Sequence, residues 1–126
     1  MKVIVEFKKY IIENGIKHVE LNYSTTGMYV NRTLTFVDKE KTINNVYINF
    51  ADVVIERKAD SNSKLTLKNN HKTNYDLNPP YGKMSFDIYT NELIIQKNSI
   101  YALYQVIEDT DSSKLHELHI AFKELI

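Results

Sequence analysis

The chain has no cysteine and no tryptophan, and only three glycines and two prolines among its 126 residues. Without cysteine there can be no disulfide, no thiolate nucleophile and no zinc or iron–sulfur centre built on Cys ligands. Three scattered glycines cannot build a phosphate-binding loop, and no G-x-S-x-G sequence is present. The common nucleotide-binding motifs and the serine-hydrolase elbow are therefore excluded.

Net charge and long apolar runs are missing as well. Lys and Arg together number sixteen, as do Asp and Glu, so the formal net charge is zero. Neutrality removes the general attraction that supplies most non-specific affinity for nucleic acid or anionic membranes. Glu6, Lys8 and Lys9 interrupt the amino-terminal segment before it reaches the length of a signal-peptide core. We expect one cytoplasmic domain over residues 1–126 that binds neither nucleic acid nor membrane.

Alternation of apolar and polar residues is the dominant pattern of the chain. Val3, Val5 and Phe7 alternate with Lys2, Glu6 and Lys8, which predicts a strand with one buried face. The carboxyl-terminal segment 114–126 fits both a helix and a strand, and we favour the strand that buries Leu118 and Phe122. Further alternating segments predict strands at Val19, Leu21 and Tyr23, at Leu34 and Phe36, at Val46, Ile48 and Phe50, and at Met84, Phe86 and Ile88.

Turn residues separate these segments at short spacing. Asn14-Gly15 is the strongest signal, because both residues tolerate the positive φ that a two-residue hairpin turn requires. Other predicted turns lie at Thr26-Gly27, Asn44-Asn45, 60–63, Asn69-Asn70, 78–82, Asn91, Asn98-Ser99 and 109–113. About eight to ten short strands without helical crossovers predict an all-β sandwich or an up-and-down antiparallel barrel. Nine tyrosines and five phenylalanines favour the barrel, whose interior needs large side chains.

A family resemblance rests on the segment "DLNPPYGKMSFDIYT" together with the flanking strands. This part of the chain resembles the YwiB-like family of small bacterial proteins, and the resemblance implies a calycin-like, lipocalin-type β-barrel with no recorded activity. The matching elements are an apolar strand with an arginine from Val53 onward, Tyr75, the Pro79-Pro80-Tyr81-Gly82 corner, Thr90, "IYALYQV" and "LHELHIAFKE".

Motifs for catalysis and metal binding are absent or incomplete. His116 and His119 are three residues apart, so on a strand they point to opposite faces and cannot share a metal ion. The acidic segment at Glu108, Asp109 and Asp111 lacks the glycine and glutamate that a calcium loop requires, and is typical of a solvated hairpin loop. We expect no metal or cofactor, and we favour a non-catalytic protein, although carboxylate sites assembled from distant residues escape motif analysis.

Arg57 is the first candidate for a binding residue. If Val53 and Ile55 point inward, period two carries Arg57 to the same side, where a guanidinium needs an anionic partner. One interpretation is a fixed internal pair with an acidic or tyrosine side chain, which is the usual state of a buried charge. The other is a small amphipathic ligand whose acidic head is bound by Arg57.

In the ligand interpretation, tyrosines assist Arg57 and apolar side chains enclose the rest of the molecule. The assisting residues are Tyr75, Tyr81 and Tyr104, and the apolar part of the ligand lies among Phe86, Ile88 and Phe122. The alternative is a barrel filled by its own side chains that serves as a structural or protein-interaction module, with no partner identified.

Overall fold

The computed structural model describes residues 1–107 and 114–126, and every regular element within them is a strand. The strands are β1 (Lys2–Glu13), β2 (Ile16–Val30), β3 (Thr33–Val37), β4 (Ile43–Ile48), β5 (Asp52–Lys58), β6 (Asn62–Lys68), β7 (Lys72–Asn78), β8 (Met84–Gln96), β9 (Ser99–Val106) and β10 (Lys114–Glu124). The described residues contain no helix long and apolar enough to cross a membrane.

Each strand pairs antiparallel with its neighbours in the chain, and the first strand pairs with the last. β1 and β10 are in register from Val3 opposite Glu124 to Glu13 opposite Lys114, which closes the sheet into a barrel. The prediction of an all-β, up-and-down antiparallel barrel is confirmed, as is the preference for a strand at the carboxyl terminus.

The hydrophobic core fills one end of the barrel. Val3 and Val5 of β1 and Leu34 of β3 are fully buried there, and the ring of Tyr29 lies 4.6 Å from that of Phe122. Val3 and Val5 occupy alternate positions of β1, so Lys2, Ile4 and Glu6 lie on the other face, where Lys2 and Glu6 are exposed and Ile4 is half-buried. Burying each such aliphatic side chain stabilises the fold by roughly 1.5–3 kcal/mol.

The predicted turns at Asn14-Gly15 and at the proline corner are present. Asn14 and Gly15 have φ angles of 53° and 77° and join β1 to β2, as a hairpin turn with two positive φ angles requires. In the corner between β7 and β8, the N–H of Gly82 donates to the carbonyl oxygen of Pro79 at 3.2 Å, and Gly82 has a φ of 145°.

Three predicted turns are wrong, because they lie inside strands. Gly27 is in the middle of β2, where a Cβ would stand 2.5 Å from the carbonyl oxygen of Thr35, so glycine serves a close approach of two strands. Asn44 is inside β4 with its side chain in the interior. Asn91 is inside β8, where the register shifts between Thr90 and Glu92.

The prediction of buried side chains also fails in two places. Val19 and Leu21 are exposed, because β2 pairs with β3 only from Gly27 to Val30 and its first half runs along β1 alone within the described residues. Phe50 lies beyond the end of β4 and is exposed. The predicted turn at 109–113 and the acidic loop that includes Glu108 lie outside the described residues.

Candidate functional site

The end of the barrel away from Val3, Val5 and Leu34 contains a cavity of about 490 Å³. Its apolar wall comes from the inward rows of the strands, namely Phe7, Leu21, Ile55, Leu65, Ile88, Val106 and Leu118. A space of this size lies within the range of small-molecule sites. The barrel is therefore filled by side chains at one end and hollow at the other.

Tyrosines add hydroxyl groups to this apolar wall. Tyr23 stacks on Phe7 with 5.2 Å between ring centroids, and Tyr104 stacks on His116 at 5.0 Å. Burial, helped by the charge of Asp38, raises the pKa of Tyr23 to about 12. Burial also raises the pKa of Tyr104 far above its ordinary value. Both phenols therefore keep their protons at neutral pH and can donate hydrogen bonds.

Asp38, which follows β3, accepts four hydrogen bonds at the rim of the cavity. Its Oδ1 accepts from the backbone N–H groups of Glu40 and Thr42, both at 3.0 Å. Its Oδ2 accepts from Asn44 Nδ2 at 3.4 Å and from Arg57 Nη2 at 3.2 Å. Burial alone would raise the pKa of this carboxyl group, but the hydrogen bonds outweigh it and the pKa is lowered. Asp38 is therefore ionised at neutral pH, with both oxygens already occupied.

The charges around the cavity balance. Lys9, Lys39 and Arg57 face three acidic residues, Glu20, Asp38 and Glu40. Lys9 and Glu20 form an ion pair of 3.3 Å on the β2 side. These groups give the rim no net charge. Its preference for a ligand head group therefore depends on which hydrogen-bond donors and acceptors are not already occupied.

Three of the five predicted binding residues line the cavity: Arg57, Tyr75 and Tyr104. Phe86 stacks on Tyr75, with 6.1 Å between ring centroids, and is not part of the lining. Tyr81 is 84% exposed in the corner between β7 and β8 and lies outside the cavity. An acidic partner for Arg57 is present, and it comes from the loop after β3 and not from an adjacent strand. A role of these residues in ligand binding stays a prediction.

Of the apolar residues expected around a ligand, Ile88 lines the cavity and Phe122 does not. Phe122 is buried in the filled end against Tyr29. Sequence patterns did not assign Tyr23 or His116 to a binding site, although alternation placed Tyr23 in a strand with one buried face, and both residues line the cavity from β2 and β10. His116 lies two residues before Leu118 on the same strand, so the alternation of β10 could have placed its side chain on the inward face.

A second polar cluster lies on the outer face of the barrel. Glu117 accepts a hydrogen bond from the hydroxyl of Tyr101 at 3.0 Å, forms an ion pair with Lys17 at 2.7 Å and lies 3.2 Å from Nε2 of His119. His116 faces the cavity, so the two histidines lie on opposite faces, as their spacing predicts. Within residues 1–107 and 114–126, no group of acidic or histidine side chains is arranged to hold a metal ion.

Comparison with known proteins agrees with this fold. The model of a protein family described as "Domain of unknown function (DUF1934)" matches residues 5–120. The crystal structure of the ywiB protein from Bacillus subtilis is similar, with a TM-score of 0.77 and 15% sequence identity over 99% of this chain and 92% of that chain. No curated protein matches the chain. At such low identity, the structural likeness supports the fold and assigns no residue a role.

Proposed function

The chain belongs to the DUF1934 family, and for this member of a family of unknown function we propose that the open cavity binds a small amphipathic ligand. The observation that carries the proposal is the cavity of about 490 Å³, with its apolar wall and polar rim. An apolar body would lie against Phe7, Leu65 and Ile88, and a polar head would lie at the rim.

The head group is anionic, because Arg57 keeps open hydrogen-bond donors at the rim whereas the oxygens of Asp38 are already occupied. Both oxygens of Asp38 already accept two hydrogen bonds each, so a cationic head finds no open acceptor there. Arg57 donates one hydrogen bond to Asp38, and its side chain is 44% exposed. The remaining N–H groups of its guanidinium can bind a carboxylate or phosphate without breaking that pair.

A non-catalytic protein-interaction role is the second candidate. It is supported by Ile16 and Val19, which are exposed on the half of β2 that pairs with β1 alone in the described chain. An open strand edge with apolar side chains is a place where another chain can pair. This candidate becomes the better one if the cavity takes up no ligand.

Filling the cavity should abolish ligand binding without unfolding the barrel. Leu65 is half-buried on the cavity wall, so the indole of Leu65→Trp would occupy the ligand's space. Native mass spectrometry of protein purified from cells, with thermal shifts against fatty acids and small anions, should detect a ligand with the wild type and none with the variant. Asn74→Trp on the outward face of β7 is the matched control and should bind like the wild type. Absence of any ligand or shift with the wild type contradicts the proposal.

Arg57→Met tests the head group. Removing the guanidinium should weaken binding of a medium-chain fatty acid by about tenfold or more, because hydrogen bonds between charged partners are worth about 1.5–3 kcal/mol. Binding of the corresponding alcohol should change little. Stability should fall by only about 1 kcal/mol, since Asp38 keeps three other donors and the ion pair is partly exposed. Lys72→Met, which breaks an exposed ion pair outside the cavity, is the control.

Equal loss of affinity for the acid and the alcohol in Arg57→Met would argue against a head group at this arginine. A loss of several kcal/mol in stability with unchanged ligand affinity would assign Arg57 a structural role alone. Isothermal titration calorimetry and urea unfolding of the same preparations separate these outcomes.

A further inference from the structure

A second concavity, of about 430 Å³, lies at the rim of the barrel beside the cavity. We define it as the rim groove, and it lies between the end of β5, the start of β6, the end of β7 and the start of β8. Its polar lining includes Arg57, Lys58, Lys64, Lys83, Asn62 and Ser85. Of these residues, the sequence analysis predicted a binding role only for Arg57, which also lines the cavity.

The rim groove and the cavity share a wall. Arg57 and Ser63 line both spaces, and they stand directly opposite each other in the β5–β6 ladder. The inward row continues past this pair to Leu77, which faces Ser63, and to Met84, which faces Leu77. A ligand can therefore extend from the cavity past Arg57 into the rim groove along one continuous row of side chains.

The electrostatics of the two spaces differ. The rim groove has four cationic side chains and two acidic ones, Glu56 and Asp76, whereas the cavity has equal numbers of each sign. In the described residues, no ion pair joins Lys58, Lys64 or Lys83 to a carboxylate. Asp76 accepts a hydrogen bond from the hydroxyl of Ser85 at 2.8 Å. Lys64 lies opposite Glu56 and Asp76 in its two ladders, so these carboxylates offset part of the positive charge. An anion in the rim groove thus meets an excess of two cationic side chains over acidic ones.

We propose that the rim groove binds a phosphate group on the head of the ligand whose apolar body occupies the cavity. A carboxylate carries one negative charge, and Arg57 alone can bind it. A phosphate monoester carries more negative charge and a third oxygen, so it needs further donors. Lysine ammonium groups and the hydroxyl of Ser63 beside an arginine are suited to this group, whereas the hydroxyl of Ser85 already donates to Asp76. The inference rests on the proposed function and narrows its ligand to single-chain amphiphiles with a phosphate head.

The test compares octyl phosphate, octanoate and inorganic phosphate by calorimetry at low salt, with the wild type and with the double variant Lys64→Met/Lys83→Met. Both lysines are exposed, so the fold should be retained. Octyl phosphate should bind the wild type about tenfold more tightly than octanoate, and the double variant should lose this difference while binding octanoate normally. Lys97→Met/Lys123→Met, at exposed positions outside both spaces, should behave like the wild type.

The outcomes separate the two proposals. If octyl phosphate and octanoate bind with equal affinity, and the double variant does not change these affinities, phosphate binding in the rim groove is contradicted. Ligand binding in the cavity would still be supported. If neither octyl phosphate nor octanoate binds, the proposed function is wrong, and so is the proposal that one amphiphile occupies both spaces. This holds even if inorganic phosphate binds the wild type and does not bind the double variant. If inorganic phosphate binds weakly and octyl phosphate binds tightly, the result supports one ligand that occupies the cavity and the rim groove together.

Discussion

Gly27→Val should destabilise the barrel by about 3 kcal/mol or more, at or beyond the upper end of the usual cost of overpacking. A Cβ at this position would stand 2.5 Å from the carbonyl oxygen of Thr35, 3.1 Å from the Cβ of Phe36 and 3.3 Å from Cγ2 of Val5. The nearest atom belongs to the backbone of β3, so no side-chain rotation relieves the overlap. The strands would have to separate where β2 begins to pair with β3.

Urea unfolding monitored by circular dichroism measures this effect. Thr26→Val is the matched control, because residue 26 faces outward on the same strand and tolerates a β-branched side chain. Its free energy of unfolding should stay within about 0.5 kcal/mol of the wild type. A Gly27→Val protein as stable as this control would show that β2 and β3 do not approach each other closely at Gly27.

Asp38→Ala is expected to cost about 2–3 kcal/mol at neutral pH, because buried donors that lose their acceptor cost about 1–3 kcal/mol. The variant leaves the backbone N–H of Thr42 and the side-chain amide of Asn44 without this acceptor, and both residues are buried. The amide of Asn44 still donates to the carbonyl oxygen of Thr42 at 3.1 Å, which limits the loss.

The cost of Asp38→Ala should depend on pH in a direction set by its lowered pKa. A carboxyl group with a lower pKa in the folded than in the unfolded state stabilises the fold above the unfolded value of about 4. This contribution disappears as pH falls through the folded pKa. The difference in unfolding free energy between wild type and Asp38→Ala should therefore be constant near neutrality and become smaller below about pH 4.

Urea unfolding of both proteins between neutral and acidic pH tests this expectation. Asp76→Ala, which removes an exposed carboxylate bound to a serine hydroxyl, is the control and should cost less than about 1 kcal/mol. A difference between wild type and Asp38→Ala that grows toward acidic pH would contradict the assignment of a lowered pKa to Asp38.

The strand pattern and the family resemblance predicted the fold well. Val3, Val5 and Phe7 are buried as their spacing predicts, and the resemblance at the Tyr75 and proline-corner segment is confirmed by the family and by the barrel. Gly27 was mistaken for a turn residue, because a glycine needed for close strand contact looks the same in sequence as a glycine in a turn.

The candidate site was harder to predict from the sequence than the fold. Arg57 was placed at the rim by counting along one strand, since period two fixes the side on which a residue lies. Asp38 was missed, because its position depends on the loop after β3 reaching Arg57 across β4. Tyr81 was included as the aromatic residue of the corner, and nothing local revealed that the corner holds this ring away from the cavity.

The pairing of the first strand with the last has a consequence for biosynthesis. β1 completes its ladder only with β10, whose paired residues run to Glu124. During translation, the early strands can form hairpins, but the ring cannot close until the last strand has left the ribosome. Such distant contacts are reached late, because loop closure costs entropy before it yields contacts. The edge of β1 that pairs with β10 in the barrel therefore stays unpaired until β10 has been made.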